Sequence, residues 1–447
     1  MKRLSRITAA VLVTAAVSAL LSGCIGDPPE IYYSVPQATE RFIQLQEKID
    51  EVISGGATFA PPAAGQNRQS VQLQDLDGDG SNEAIAFFKV QEERPLRIYV
   101  FSENGGVFEQ RAVIEGEGTS VDSITYTDMN SDGTKEILVG WRMGSTVKML
   151  TMYSVLDFQP VELASTDYST YTVTDIDRDG DSEALAINKS ESDAATATLY
   201  NLMSDGEMVS SSAYLSKDTG TVARIMRGRL TDDRAAVFID STRAEGGLLT
   251  DVFTLDDDGN LKNITIRARD GASTATMRST AVYCSDINDD GRMDVPFPRT
   301  LFQQSETVYY VIDWYDYGSS GRRSIAMTTY HNYSDGWYLV IPEEWGDGIT
   351  VRREDSQQGE RTIVFSRVRK AKAGSEEQTV EDFLKIYTLT GDNKRELSAL
   401  PGRFPLLARS DAIFAAEIVD AHGLDINEQQ IRDDFKIIYS DWSTGAI

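Results

Sequence analysis

The chain has 447 residues, with 70 acidic against 43 basic side chains and a formal net charge of −27. A surface this acidic repels phosphates, so the composition excludes DNA and RNA as partners. Hydrophobic residues make up 41% of the sequence. That content suits a packed globular body, and beyond the first 24 residues no apolar run reads as a membrane-spanning helix.

The first 24 residues read as an export leader. Three basic residues among the first six precede an apolar stretch over residues 7–21, which is too short to span a bilayer comfortably and has the length of a signal-peptide core. The stretch ends in LSGC at residues 21–24, which resembles the lipobox of bacterial lipoproteins. The resemblance implies a signal peptide over residues 1–23, lipidation of Cys24 and attachment to the extracytoplasmic face of the cell membrane by lipid alone.

The mature chain has no disulfide available to it. It keeps 40 basic and 70 acidic residues, a net charge of −30, and Cys284 is its only thiol once Cys24 is lipidated. An exported protein of this kind needs its stability from core burial or from bound metal.

A helix and a linker are predicted over residues 24–69. SVPQ at residues 34–37 resembles a capping box with proline in the first turn, and Gly55 and Gly56 are typical of a helix end. Apolar residues between them recur at helical spacing, namely Phe42, Leu45, Ile49, Val52 and Ile53. We expect this helix to pack on the edge of the following domain rather than to bind a partner.

One pattern occurs four times after the linker: acid, apolar, Asp or Asn, any residue, Asp, Gly, two further residues, acid, then a strand-like run. The copies are DLDGDGSNEAIAFF from Asp75, DMNSDGTKEILVGW from Asp128, DIDRDGDSEALAIN from Asp175 and DINDDGRMDVPFP from Asp286. Side chains at positions 1, 3 and 5 of such a turn converge, and glycine at position 6 permits its sharp bend. We name the copies turns 1 to 4.

Each turn is predicted to bind calcium, a hard cation that takes six to eight oxygen ligands, whereas magnesium prefers to keep several waters. Positions 1, 3, 5 and 9 supply side chains, and position 7 supplies its backbone carbonyl. The predicted ligands are Asp75, Asp77, Asp79, Ser81 and Glu83 in turn 1; Asp128, Asn130, Asp132, Thr134 and Glu136 in turn 2; Asp175, Asp177, Asp179, Asp181 and Glu183 in turn 3; and Asp286, Asn288, Asp290, Arg292 and Asp294 in turn 4.

The turns are not EF-hands. An EF-hand needs a bidentate Glu at position 12 on an exiting helix, and position 12 here is Ala86, Val139, Ala186 or Phe297. Alternating apolar residues before each turn and apolar runs after it predict a strand, a calcium turn and a second strand.

The alignment of the four copies leads to two further predictions. The segment GRLTDDRAAVFID from Gly228 is a degenerate copy that is predicted to keep the hairpin and to bind no calcium. Cys284 stands where the other repeats have Leu73, Tyr126 and Val173, so we expect a buried core residue rather than a catalytic or redox thiol.

The repeat interval predicts the architecture. Equivalent points at Asp75, Asp128, Asp175, Arg229 and Asp286 lie 53, 47, 54 and 57 residues apart, and a strand-rich period of about 50 residues fits one four-stranded propeller blade. We therefore predict an all-β fold, a β-propeller of about seven four-stranded blades over residues 70–422. Residues 423–447 form a closing segment, with a second helix around Ile431 or a strand from Phe435.

The turns and their spacing resemble the FG-GAP/VCBS repeat proteins, whose propellers include the head of integrin α chains. The resemblance covers residues 70–300 well and the remainder weakly. It implies that calcium in each turn is structural and that partners contact other loops. The Phe-Gly and Gly-Ala-Pro stretches of that family have no clear counterpart here, so no integrin-like partner surface is carried over.

The sequence favours a binding or scaffold module over an enzyme. His331 and His422 are the only histidines and lie in unrelated contexts, which argues against a histidine-centred triad or a zinc site. We expect a monomeric, non-enzymatic, calcium-binding protein whose partner is a protein or glycan of the cell envelope. The alternative is a surface polysaccharide lyase or glycosidase, because 70 acidic residues offer many carboxylate pairs.

Overall fold

The computed structural model describes residues 40–438 except 106, 190–193, 304–305, 347, 358 and 371–377. The predicted signal peptide and Cys24 lie outside the described residues. The described chain is mostly β-structure arranged in six antiparallel sheets. None of its helices has the length and apolar character needed to cross a membrane.

Sheets 1 to 3 are built from consecutive strands. Sheet 1 has the order β1-β3-β4-β5, with β2 also paired to β3; its strands are β1 Thr58–Phe59, β2 Val71–Gln74, β3 Glu83–Lys89, β4 Leu96–Asn104 and β5 Val107–Gly116. Sheet 2 has β6 Ser120–Thr127, β7 Glu136–Arg142, β8 Lys148–Ser154 and β9 Val161–Asp167. Sheet 3 has β10 Thr170–Thr174, β11 Glu183–Asn188, β12 Thr196–Leu202 and β13 Met208–Tyr214.

Sheets 4 to 6 follow in the same way. Sheet 4 has β14 Val222–Thr231, β15 Arg234–Thr242, β16 Leu248–Leu255 and β17 Leu261–Asn263. Sheet 5 has β18 Val295–Thr300, β19 Tyr310–Tyr317, β20 Arg323–Asn332 and β21 Trp337–Val340, completed by β27 Phe435–Ile437. Sheet 6 has the order β22-β23-β24-β26-β25, with β22 Ile349–Gln357, β23 Glu360–Lys370, β24 Gln378–Thr390, β25 Phe404–Ala408 and β26 Ala412–Ile418.

The sheets stack face to face in chain order. In β3, Ile85 and Phe87 belong to a core shared with sheet 2, while Ala84 and Phe88 lie in a separate cluster on the other face. Further clusters join sheets 2 and 3, 3 and 4, 4 and 5, and 5 and 6. After their first Glu, β3, β7 and β11 are runs of buried, mostly apolar residues, because successive side chains point to opposite faces and both faces are buried.

The first strands of sheets 1 to 4 form a common inner edge. Hydrogen bonds join them in succession: the hydroxyl of Tyr126 donates to Gln72 (2.8 Å), the hydroxyls of Tyr171 and Thr125 pair (2.8 Å), and Arg227 donates to the Val173 carbonyl (2.9 Å). Sheets that stack face to face and meet along their first strands form a propeller-like arrangement.

The predicted count of about seven blades differs from the six sheets that the described residues form. Residues 264–294 take up more than half of one repeat length while contributing only isolated bridges, such as Ser285 with Asp294. Sheet 6 also uses longer strands than the repeat predicts, with 13 residues in β24. A fixed period of 50 residues therefore overestimates the number of sheets.

Helices lie at both ends of the described chain. The first helix, α1, spans Glu40–Ser54, and its Leu45 and Ile49 cover the face of sheet 1 that turns away from sheet 2. A short helix, α2, spans Lys394–Ser398. The last, α3, spans Glu428–Asp434 and is followed directly by β27, so the closing segment contains both the helix and the strand considered from the sequence.

Cys284 is fully buried, as predicted, but for a different reason. Leu73, which shares its register, is 42% exposed at the inner edge. The loop of residues 264–285 folds over sheet 4 instead, and the Cys284 sulfur lies 3.4 Å from both Asp240 and Thr250. Arg278 pairs with Asp240 there, and both side chains have no exposed surface.

Candidate functional site

All four turns adopt the same backbone conformation. Position 4 has a positive φ in each turn, at Gly78 (71°), Ser131 (52°), Arg178 (66°) and Asp289 (58°). Glycine at position 6 also has a positive φ, between 81° and 103°, a region that suits glycine. In turn 1 a Cβ on Gly78 would lie 2.4 Å from the carbonyl oxygen of Gly133 in turn 2, so neighbouring turns are in close contact.

The same hydrogen bonds hold each turn. The position 2 N–H donates to the acid at position 9, with lengths of 2.8, 2.9, 2.8 and 3.1 Å in turns 1 to 4. The position 7 N–H donates to the Asp at position 5 in every copy, at 2.6 to 2.9 Å. These bonds fix one oxygen of each acceptor and leave other carboxylate oxygens for a different partner.

Several of the remaining oxygens are buried and accept no hydrogen bond. They are Oδ1 of Asp75, Asp175 and Asp294 and Oε1 of Glu183. Glu183 and Asp294 are completely buried. Burying a carboxylate oxygen without a donor is costly, so these atoms are placed to receive a cation.

Turns 1 and 3 bring three predicted ligands together. Oxygens of Asp75, Asp77 and Glu83 lie within 4.8 Å of one another, as do those of Asp175, Asp177 and Glu183. Both triads are able to bind a metal ion. Asp79 and Asp179 lie outside these triads, and the position 7 carbonyls of Ser81 and Asp181 remain predicted ligands.

Turns 2 and 4 have fewer carboxylates because Asn130 and Asn288 occupy position 3. Among the described residues, neither turn brings three carboxylates within that distance. The predicted ligands Asp128, Asp132, Thr134 and Glu136 of turn 2, and Asp286, Asp290, Arg292 and Asp294 of turn 4, otherwise share the backbone geometry of the first and third turns.

Turn 4 has an acid that the repeat pattern does not include. Asp316 on β19 stands opposite Asp294, one step beyond the pair of Val295 with Tyr315. Its Oδ1 is buried and unpartnered, and its charge raises the pKa of Asp294 after burial itself. In sheets 1 to 3 the residues that stand opposite the position 9 Glu on the next strand are Ser102, Ser154 and Asn201. A carboxylate from the neighbouring strand thus accompanies the shorter Asp294, which replaces the Glu of the other turns.

The position 9 acids have raised pKa values. Burial is the largest cause, and the nearby Asp carboxylates add to it. The pKa rises to about 7 for Glu136, to about 8 for Glu183 and to about 8 for Asp294, and that of Glu83 also rises. A bound cation would reverse this effect by favouring the ionised form.

Cation affinity should therefore increase with pH. In the metal-free protein the raised pKa of Glu183 makes the folded state hold its proton more tightly than the unfolded state. The metal-free stability is then greatest below the ordinary value of 4.5 and falls as the pH rises toward about 8. Calcium must displace these protons, so we expect its dissociation constant to fall over that range, with proton release. Titration calorimetry in buffers of different ionisation enthalpy measures both, and a pH-independent affinity would contradict the assignment.

The degenerate turn in sheet 4 is contacted by arginines from the two neighbouring turns. Thr231 and Arg234 pair across it, so the hairpin is kept as predicted. Arg178 from turn 3 donates to the backbone carbonyl of Asp232, and Arg292 from turn 4 lies 3.2 Å from its carboxylate. Two guanidinium groups thus link this turn to its neighbours.

The aromatic residues of β19 and β21 are mostly in the core. Trp314 and Trp337 have no exposed surface, and Tyr317 and Tyr338 are 3% and 7% exposed. These rings are therefore not available to stack on a sugar ligand.

The inner edge contains a polar pocket of about 550 Å³. It is lined by the loop before β2, by β6, by the start of β10 and by Arg227 of β14. Many lining residues carry hydroxyl groups, and together we call them the hydroxyl wall; they are Ser123, Thr125, Tyr126, Tyr168, Ser169, Thr170, Tyr171 and Thr172. Gln66, Asn67 and Gln74 add side-chain amides to the lining. Of the described residues that line the pocket, Asp122 is the one carboxylate.

Asp122 is 3% exposed and has three partners. Lys148 lies 2.8 Å away, the Tyr168 hydroxyl donates at 3.0 Å, and Arg142 also pairs with it. Burial alone would raise the pKa of Asp122, but the bonds from Lys148 and Arg142 lower it below its ordinary value. Gly140 permits this arrangement, because a Cβ there would lie 2.1 Å from the Tyr168 hydroxyl.

No family model and no curated protein matches the chain. Similar solved structures include a rhamnogalacturonan lyase with 11% identity, covering 73% of this chain and 75% of the other, at a TM-score of 0.30. A rhamnogalacturonan lyase of Bacillus licheniformis has 9% identity, coverages of 80% and 91%, and a TM-score of 0.28. A periplasmic gluconolactonase of Pseudomonas aeruginosa has 11% identity, coverages of 73% and 93%, and a TM-score of 0.24.

These similarities correct one prediction. The sequence-based conclusion that the chain is not an enzyme is wrong as it stands, because similar structures are named as lyases and lactonases. The scarcity of histidines argues only against histidine-centred chemistry, and Lys148, Tyr168 and Asp122 line the pocket. At these TM-scores the similarity transfers no activity or substrate to this chain.

Proposed function

We propose that the chain is a calcium-stabilised β-propeller of the FG-GAP/VCBS kind that serves as a binding or scaffold module. The observation that carries this proposal is the set of buried carboxylate oxygens without donors, repeated in turns of one geometry. In turns 1 to 3 the ion lies between the first two strands of a sheet, and in turn 4 it lies directly before β18. It cancels the repulsion among the acids and closes the turn.

The ligand chemistry favours calcium over other metals. The turns offer carboxylate, amide and carbonyl oxygens and no histidine or thiol, which selects a hard cation. Calcium tolerates irregular shells of six to eight oxygens, whereas magnesium requires near-octahedral geometry and retains waters. The extra carboxylate of Asp316 supports a site at turn 4 despite the Asn at position 3.

We place this module at the extracytoplasmic face of the cell membrane, anchored through Cys24. Calcium is abundant outside the cytosol, and modules of that compartment bind it with dissociation constants of about 10⁻⁴ to 10⁻³ M. A protein without disulfides gains from it the stabilisation that other exported proteins obtain from cross-links. The partner is a protein or glycan of the envelope.

A second candidate is an enzyme that acts on a polysaccharide. The pocket favours a lyase over a glycosidase, because a glycosidase uses two carboxylates and the described lining offers Asp122 alone. Incubation with uronate polysaccharides, followed by the absorbance of unsaturated sugar products, distinguishes this candidate from a module that retains the polysaccharide intact.

Metal content tests the proposal directly. We expect the purified full chain to bind four calcium ions, one for each turn, as measured by elemental analysis after dialysis against calcium and by titration calorimetry. Magnesium at the same concentration should not replace them. A calcium-free protein, or one that retains zinc instead, would contradict the proposal.

A further inference from the structure

The pocket at the inner edge has positive charge in a strongly acidic protein. Lys148 and Arg227 line it against the single carboxylate of Asp122, and Arg142 pairs with that carboxylate. The chain as a whole carries a net charge of −27. A cationic concavity on an acidic protein concentrates anions and repels other acidic surfaces.

Asp122 is not available to a ligand. Its carboxylate already receives bonds from Lys148, Arg142 and the Tyr168 hydroxyl, and it is almost completely buried. Its negative charge is therefore compensated within the protein, and one positive charge of this group remains in excess. Arg227 adds a second.

Arg227 is exposed and only partly engaged. One of its N–H groups donates to the Val173 carbonyl at 2.9 Å, and it forms no ion pair within the described part of the chain. A guanidinium has five N–H donors in a planar fork that matches a carboxylate. Its bond to the Val173 carbonyl holds this guanidinium at the inner edge, where it lines the pocket together with the hydroxyl wall.

The neutral lining has the chemistry of a sugar site. Hydroxyls such as Ser123 and Thr125 act as both donors and acceptors, and the amide of Asn67 adds one group of each kind. The rings of Tyr168 and Tyr171 lie 5.5 Å apart with an edge-to-face angle of 73°, and aromatic rings combine an apolar face with a polar hydroxyl. A volume of about 550 Å³ is within the range of small-molecule sites.

We propose that this pocket binds the carboxylate-bearing sugar residue of an acidic glycan, a uronate, with Arg227 and Lys148 toward the carboxylate and the hydroxyl wall toward the ring. This inference rests on the proposed binding module and specifies the class of its ligand. Neither the calcium turns nor the buried tryptophans contribute to the site.

The test uses trigalacturonate and its methyl ester as probes, with the calcium-saturated full chain in a titration calorimeter. The ester has the same ring and length but no charge. We expect trigalacturonate to bind and the ester to bind at least about tenfold more weakly, the effect of losing one charge-assisted hydrogen bond. Raising the ionic strength should also weaken the binding of trigalacturonate, because salt screens the attraction between its carboxylates and the basic side chains.

Two arginine variants locate the site. Arg227→Gln should weaken trigalacturonate binding about tenfold, whereas Arg409→Gln, the same charge change at an exposed position in the loop between β25 and β26, should leave it unchanged. Equal binding of acid and ester, or equal behaviour of the two variants, would overturn the inference. Binding of neither probe, in a protein that still takes up calcium, would also overturn it and leave the calcium proposal standing.

Discussion

Chelation of calcium should lower the melting temperature of the protein by about 10 °C. Each ion that binds only the folded state contributes about 2.7 kcal/mol at a hundredfold excess over its dissociation constant. Four such contributions, divided by the unfolding entropy of the roughly 400 folded residues, give a shift of this size. Differential scanning calorimetry with excess calcium and with excess chelator measures it.

Re-addition of metal provides the control. Calcium should restore the original transition and magnesium should restore little of it, because the irregular oxygen shell of the turns suits the larger ion. A transition that is identical with and without chelator, in protein shown to be free of bound metal, would remove the role of calcium in stability.

Glu183→Gln should have opposite effects with and without calcium. The variant keeps an oxygen to accept the 2.8 Å bond from the Ile176 N–H, but it loses a carboxylate of the turn 3 triad. In calcium we expect one ion fewer per chain and a loss of about 3 kcal/mol in the free energy of unfolding. In chelator at pH 8 the variant should melt at a higher temperature than the parent, because Gln has no charge to bury.

Asp233→Asn is the matched control for that variant. It changes the charge by the same amount in the degenerate turn, where no calcium is predicted and Asp233 bonds only to Thr231 among the described contacts. Its stability should stay within about 0.5 kcal/mol of the parent in both conditions. If Glu183→Gln retains full calcium stoichiometry, turn 3 is not a calcium site.

The repeating hairpins could be predicted because their signals are local. A turn that needs glycine at position 6 and acids at fixed spacing is written in consecutive residues, so the hairpins around Asp75, Asp128 and Asp175 follow from the sequence. Alternation and continuous burial are properties of each strand and its immediate neighbours.

The remaining features depend on contacts that are distant in sequence. Asp316 reaches turn 4 because β18 pairs with β19, and no spacing rule links it to Asp294. The polar pocket combines residues from the linker, sheet 2, sheet 3 and Arg227. The number of sheets depends on how residues 264–294 fold, and their composition does not reveal that they cover sheet 4 instead of forming strands.

The arginine contacts of the degenerate turn in sheet 4 affect the order in which the sheets should unfold. Arg178 and Arg292 join sheets 3, 4 and 5 through Asp232 with charges that are permanent and need no ion. Sheets 1 and 2 are linked by turns that touch directly, as the Lys135 N–H donates to the Leu76 carbonyl at 2.8 Å, and both of those turns are proposed calcium sites. When calcium is scarce, unfolding should begin at sheets 1 and 2 and stop at the arginine contacts of Asp232, so amide exchange should be faster in sheets 1 and 2 than in sheets 3 to 5.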